Sequence, residues 1–506
     1  MPVSEKLLNT NRSCVPRASA GVWAPAVVRA SVVVRASVVL WWLVTLCALW
    51  SCPVGVAAQA TQSSPSERVA EQITNYRSLP DRTDELQQIL NDGGDLDLVD
   101  RHYRITRSLI VDLKRVGASA ITGDGRATLI MDGPGPALIL QGTHQGTASP
   151  KTFQPGTWNQ RMPVVEGFEI LGADDSADGI ELRGTVGAIL RGVSIRWCQH
   201  ATHLVERNRN VIISDCHFYE NRGVGIFLDN VNLHQINVLG SHVSYNQGGG
   251  IVVRDGNVRN LQVSGCDLEA NMPFDATPTE TANVWIDVSG SQEDRSKSIA
   301  EISITGCTIQ HSSNYSGDAE KAVAPGGANI RLSGKESYPI DSVTISGNVI
   351  SDTTINLDLL HVMDVTVSAN TFFAPNPENI RVLHGNRVIL QGNTFNPRQF
   401  VRPGLISFTD SSDCVIANST LFQFSATQGA IRLSRCRGFS LSGLVMAECG
   451  SGVKLQTCKD VVVTGCLFRG TKEGPDLSCD ESCRGISLNG NLAETGVRVP
   501  EVALRR

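Results

Sequence analysis

The sequence predicts an all-β right-handed parallel β-helix, a solenoid of stacked coils, and three observations lead there. A short pattern, apolar-x-apolar-x-Gly-(Cys/Asn/Ser)-x-apolar, recurs at a nearly constant interval. A second alternating strand lies upstream of most copies. Glycine is frequent, at 47 residues, and aromatics make up only 5 %, which suits many short strands and turns rather than a helical bundle.

Copies of the pattern start at Val211, Ile236, Leu261, Ile302, Val343, Val365, Val388, Cys414, Phe439 and Val461, with earlier ones at Ala188 and Pro163. From Ala188 onward the intervals are 23, 25, 25, 41, 41, 22, 23, 26, 25 and 22 residues. The two long intervals read as one coil plus insertions, at 271–282, 290–298 and 311–327. A single coil cannot bury its apolar face, whereas stacked coils bury a continuous column. The reading is about twelve coils and three sheets, with Ile213, Val263, Ile345, Val367 and Leu441 inward.

Positions repeat from coil to coil. Phe218, Leu268, Ile309, Ile350, Phe372, Phe395, Leu421 and Phe468 form one expected column. Asn348, Asn370 and Asn393 form another at the tight turn, because asparagine tolerates left-handed backbone and its amide can bond to the next coil. Cys216, Cys266, Cys307 and Cys466 share that column and read as small buried residues. Cys436 and Cys458 sit one coil apart, within reach of a disulfide or stacked as free thiols. Cys479 and Cys483 leave the same two options.

The chain divides into a signal segment 1–60, a linker 61–80, a capping helix 81–95, the solenoid 96–490 and a tail 491–506. A basic region, the apolar run Val38–Trp50 and a small-residue site ending at Ala60 make a secretory signal, with a start near Val27 as an option. The alternative is a retained anchor, but a run of 13 is short for a span. The expected mature chain is secreted, periplasmic or on the cell surface, monomeric and without a membrane span. A net charge of −6 argues against nucleic-acid binding.

At 81–90, "DRTDELQQIL" offers Asp81 or Thr83 as a cap and puts Leu86, Ile89 and Leu90 on one helix face. Tyr103–Ile105 and the turn Ile121–Gly125 follow. This order of D-x-T-x-x-L-Q helix, Y-x-I stretch and I-x-G-x-G turn resembles the N-terminus of pectate-lyase-superfamily proteins, over residues 78–490. The resemblance is specific for fold and weak for chemistry, since that superfamily spans lyases, hydrolases, epimerases, phage tailspikes and proteins with no known reaction.

The resemblance implies a groove on the outward face of the first-strand sheet. Outward residues there are Glu181, Asp229, Arg254, Asp287, Arg331, Asp358, Arg381, Arg432 and Lys454. The insertions flank Asp287 and Arg331, with Asp358 one coil on, and long loops are usually functional or disordered. These three are the candidate catalytic residues. By the resemblance Arg331 is a candidate base for β-elimination, and Asp287 and Asp358 are candidate Ca²⁺ ligands. Asp229, Arg254, Arg381 and, in a Gly/Pro-rich loop, Trp158 are candidates for holding an acidic polysaccharide. The competing reading is a solvated ladder of alternating charges. Asp174, Asp175 and Asp178 are a second acidic cluster, or a turn. His361 and His384 share a column with Asp410 and Arg435, as an acid–base or metal pair or as idle surface stacking. Two functions stay open: a carbohydrate-active enzyme, as lyase or hydrolase, and a non-catalytic surface or adhesion solenoid.

Overall fold

Strands one coil apart pair in parallel throughout. The computed structural model describes residues 65–504, apart from 147–150, 152, 274–277, 289, 291–298, 312–325 and 399–400. The signal segment and most of the long insertions therefore lie outside the described residues. One face of the solenoid is a sheet of 14 short strands, from His102–Ile105 to Leu467–Arg469. The other two faces merge into a 28-stranded sheet, because single strands such as Ile355–Ser368 turn the corner between them. The fourteen coils of the described residues exceed the expected twelve. The extra ones, with strands His102–Ile105 and Thr128–Met131, lie before the first copy of the glycine motif.

The inward register is the one the alternation predicts. Ile213, Val263, Ile345, Val367 and Leu441 are all fully buried. Phe218, Val243, Leu268, Ile309, Ile350, Phe372, Phe395, Leu421, Met446 and Phe468 pair one after another. Phe372 and Phe395 stack with centroids 4.9 Å apart. Burying one such side chain contributes about 2 kcal/mol, and the column repeats that gain in every coil.

Polar turns are satisfied by ladders. Asn348 Nδ2 donates to Asn370 Oδ1, and Asn370 Nδ2 to Asn393 Oδ1, at 3.0 and 3.1 Å. The left-handed residue, however, is the one before each asparagine, namely Gly347, Ala369 and Gly392, so the asparagine supplies the bond and not the bend. A second ladder, absent from the sequence reading, links Asn221, Asn246, Asn271, Asn283, Asn329, Asn356 and Asn379, each amide donating to the next at 2.7–3.2 Å. Gly250 makes room for it: a Cβ there would meet Asn283 O at 2.4 Å and Asn271 Nδ2 at 2.9 Å.

The eleven cysteines beyond residue 60 are all free thiols, ten of them buried. Cys436 and Cys458 are stacked thiols with no bridge between them, and Cys479 and Cys483 are likewise unbridged. The capping helix runs Thr83–Gly93 with Leu86 and Leu90 buried, and Asp81 Oδ1 accepts from Thr83 N at 2.9 Å. Ile89 is 43 % exposed, so the buried stripe is narrower than expected. The stretch read as linker contains a helix, Pro65–Arg77, whose Val69, Ile73 and Tyr76 pack on Ile130, Leu171 and Trp197.

Candidate functional site

The strands of the first sheet present two outward rows, two residues apart along each strand. One row is Glu181, His203, Phe227, Val252, Trp285, Arg331, Asp358, Arg381, Ser407, Arg432 and Lys454, each in register with the next. A neighbouring row holds Arg183, Val205, Asp229, Arg254 and Asp287. Asp178, opposite His200, lies on the other side. The single row expected from sequence is thus two. Asp287 is in register with Ser333, not with Arg331, which pairs with Trp285.

Asp287, Arg331, Asp358 and Arg381 nonetheless meet in one cleft of about 580 Å³, together with Thr279, Glu280, Trp285 and Gly326. Arg331 is held from three sides. Its Nε donates to Asp358 Oδ2 at 2.9 Å, its Nη1 to Glu280 O and its Nη2 to Gly326 O at 2.6 Å. Its side chain is 8 % exposed. Arg331 therefore ties the described ends of two insertions to the sheet. That makes it a positioning residue in this geometry and a poor proton acceptor. Arg381 grips Asp358 by two bonds, Nε to Oδ1 at 2.9 Å and Nη2 to Oδ2 at 2.8 Å. Burial works to raise the Asp358 pKa, but Arg381 and Arg331 outweigh it and hold the carboxyl below its ordinary value.

Both Asp358 oxygens are spent on arginines, so the pair Asp287 and Asp358 does not fit a Ca²⁺ site. No three His, Cys, Asp or Glu side chains gather to hold a metal among the described residues. Glu378, which the sequence reading missed, accepts from Ser407 Oγ at 3.2 Å beside Arg381. Burial pushes its pKa up, against Arg381 and Arg432. Among the described residues, no ion pair joins Arg432 or Lys454 to a carboxylate.

The earlier coils differ. His203 Nε2 lies 3.3 Å from Asp229 Oδ2, and its ring stacks on Phe227 at 5.2 Å and 7°. His200 Nδ1 accepts from Val224 N, and burial drops its pKa to about 4. Asp178 accepts from His200 N at 2.7 Å, and burial raises its pKa. The guanidinium of Arg254 lies 5.1 Å over the Trp285 ring. Of the second acidic cluster only Asp178 joins this face. Asp174 accepts from Ser176 N in a turn, and Asp175 is a surface partner of Arg222. Trp158 is 56 % exposed in its own loop, with Arg161 over its ring and Phe153 at its edge, away from the Arg331 cleft. His361 and His384 stack at 4.4 Å in a separate cleft of about 480 Å³ with Lys335, Glu336 and Asp410.

A family model described as right-handed beta helix region matches residues 160–294, and one described as periplasmic copper-binding protein (NosD) matches residues 300–491. Bacteriophage CBA120 tailspike protein 3 aligns at 11 % identity and a TM-score of 0.40, over 87 % of this chain and 62 % of its own. The chain thus spans less than two thirds of that tailspike. The Azotobacter vinelandii mannuronan C-5 epimerase AlgE6 A-module aligns at 12 % identity and 0.35, over 85 % and 99 %. A PL6 alginate lyase solved with a trisaccharide aligns at 12 % and 0.36, over 88 % and 85 %. No curated protein matches the sequence significantly.

Proposed function

We propose that this chain, a right-handed parallel β-helix repeat protein, acts on or binds an acidic polysaccharide laid along the outward face of its first sheet, outside the cytoplasm. One observation carries the reading. The outward rows place a different polar or aromatic group every coil, about 4.8 Å apart, which is comparable to the length of one sugar unit. Trp285, buried beneath the Arg254 guanidinium, lines the same cleft as Arg381. Arg432 and Lys454 extend the row with cations that no ion pair fixes among the described residues. A chain bearing one carboxylate per sugar complements such a row. The word periplasmic in the name of the matched family model agrees with this location. Among the described residues no helix is long and apolar enough to cross a membrane.

The rival is a non-catalytic surface or adhesion solenoid that uses the same face for binding only. Titrating the purified chain with uronate-containing, sulfated and neutral glycans tests the shared claim. Binding should be selective for the acidic chains and weaken with salt. Equal binding of neutral chains, or none at all, would overturn it. Product analysis separates the rivals: an unsaturated uronate marks a lyase, new reducing ends a hydrolase, neither a binder.

A further inference from the structure

The groove has an end that can move protons, and it is not the end at Arg331. Glu181, His203 and Phe227 stand in register on three consecutive coils, and Asp229 and Arg254 are in register beside them. Stacking on Phe227 fixes the plane of the His203 ring, and Asp229 Oδ2 lies 3.3 Å from its Nε2. A carboxylate on Nε2 selects the tautomer that carries its proton there and leaves the lone pair on Nδ1. His203 Nδ1 makes no hydrogen bond among the described residues, and the side chain keeps 20 % of its exposure. The base is thus oriented by a carboxylate on one nitrogen and open on the other, the logic of a base with its orienting acid.

Two further groups complete the set. Asp178 borders His203 and Glu181, and its Oδ1 is engaged by His200 N. Burial favours its protonated form, in which it can give a proton. Arg254 lies one coil beyond Asp229, exposed, and rests over the buried Trp285 ring, which holds its guanidinium where it can meet a sugar carboxylate.

We propose that His203, oriented by Asp229, is the base of a β-elimination centre for a polyuronate chain, with Asp178 as proton donor and Arg254 holding the uronate carboxylate. The proposal rests on the groove reading above and names its reacting residues. His203 Nδ1 takes the proton from the carbon next to the uronate carboxylate. That electron pair forms a C=C bond as the neighbouring C–O bond to the adjoining sugar breaks. The leaving oxygen takes its proton from Asp178. The products are a new hydroxyl end and an unsaturated uronate; His203 then loses its proton to water, and Asp178 regains one from water. The ion-paired Arg331–Asp358–Arg381 stretch, with Arg432 and Lys454 beyond it, serves as the binding half of the same groove.

The test incubates the full chain with polymannuronate, polyguluronate and polygalacturonate. Ultraviolet absorbance reports the unsaturated uronate, and binding of each polymer is measured in parallel. At least one polymer should yield absorbance. His203→Ala should lower kcat by about 10²- to 10⁴-fold, the usual share of a general base, with polymer binding held and only a small fall in melting temperature. Asp229→Asn should lower kcat less. Should His203→Ala not fold, His203→Gln decides, since it keeps a polar group toward Asp229 and no base. Polymer binding without absorbance, or absorbance undiminished in the folded His203 variant, would overturn the centre and leave the groove standing. Absence of binding to all three polymers would overturn both.

Discussion

The two halves of the outward face are built from the same strands and do different work. In the coils of Arg331, Asp358 and Arg381, two arginines hold the buried Asp358 ionised, while burial raises the pKa of Glu378 beside them. In the coils of Asp178, His200 and His203, burial favours the neutral forms of Asp178 and His200. The first arrangement gives a rigid, charged surface. The second holds groups whose charged forms burial disfavours. A row of charges is therefore not one kind of site: the partner in the neighbouring coil decides whether a group anchors, binds or reacts.

The sharpest way to break this contrast is Arg331→Ala. Truncation leaves Asp358 with only Arg381 and frees two backbone carbonyls, at Glu280 and Gly326. Removing one partner of a buried pair costs about 3–5 kcal/mol. A clear drop in melting temperature is expected, with faster hydrogen exchange in the adjoining strands. His203→Ala, by contrast, removes a weak 3.3 Å contact at a part-exposed position and should cost about 1 kcal/mol. Equal losses in the two variants would erase the distinction between the halves.

Acid sharpens the same contrast. Burial lowers His144, His200 and His311 each to about 4 in the folded chain, against about 6.5 when unfolded. The folded pKa is the lower one, so the unfolded chain binds more protons as pH falls. Stability is fully present above about pH 6.5 and is lost progressively toward the folded value of about 4. Asp352, raised to about 6 by burial, runs the other way and costs stability as pH rises through its folded value. Six imidazoles lowered by burial, those three with His217, His234 and His361, outnumber the three carboxyls raised by it, Asp178, Asp352 and Glu378, and predict net acid destabilisation. It should open the Val224 amide, bonded to His200, before the strand of Arg331. Hydrogen exchange at pH 7 and pH 5 measures that order; simultaneous opening would contradict it.

Much of this was legible in sequence, and the gaps have physical causes. The coil interval, the inward column and the Asn348–Asn393 ladder follow from a repeat that alternation makes unambiguous. The register between Asp287 and Arg331 was not legible. A slip of two residues keeps every side chain on its own face, so the apolar pattern is blind to it, whereas a slip of one would have shown. The asparagine ladder from Asn221 to Asn379 was hidden by the insertions. Its spacing changes from 25 to 12 and then 46 residues as it crosses them. His203 was overlooked because its partner Asp229 lies one coil away in the neighbouring row, and only the register brings the two together. Arg331 looked reactive because its three partners include two loop carbonyls that no sequence pattern announces.

The smallest expected effect on stability falls on Arg432 and Lys454, and it bears most directly on binding. Both lie on the outward row, partly exposed, and no ion pair fixes them among the described residues. Surface substitutions of this kind usually change stability by less than about 0.5 kcal/mol. If the row holds an acidic chain, each cation meets a carboxylate, and such a contact contributes on the order of 1 kcal/mol. Arg432→Ala and Lys454→Ala should then each raise the Kd for a polyuronate by about fivefold and flatten its salt dependence, with the melting temperature unmoved. Short oligomers that reach only the coils of His203 to Trp285 should not notice either change. Loss of binding for short and long chains alike would place the cations outside the groove. Undiminished affinity for long chains would confine the glycan to the His203 half, and Arg331 with its partners would be left as scaffold.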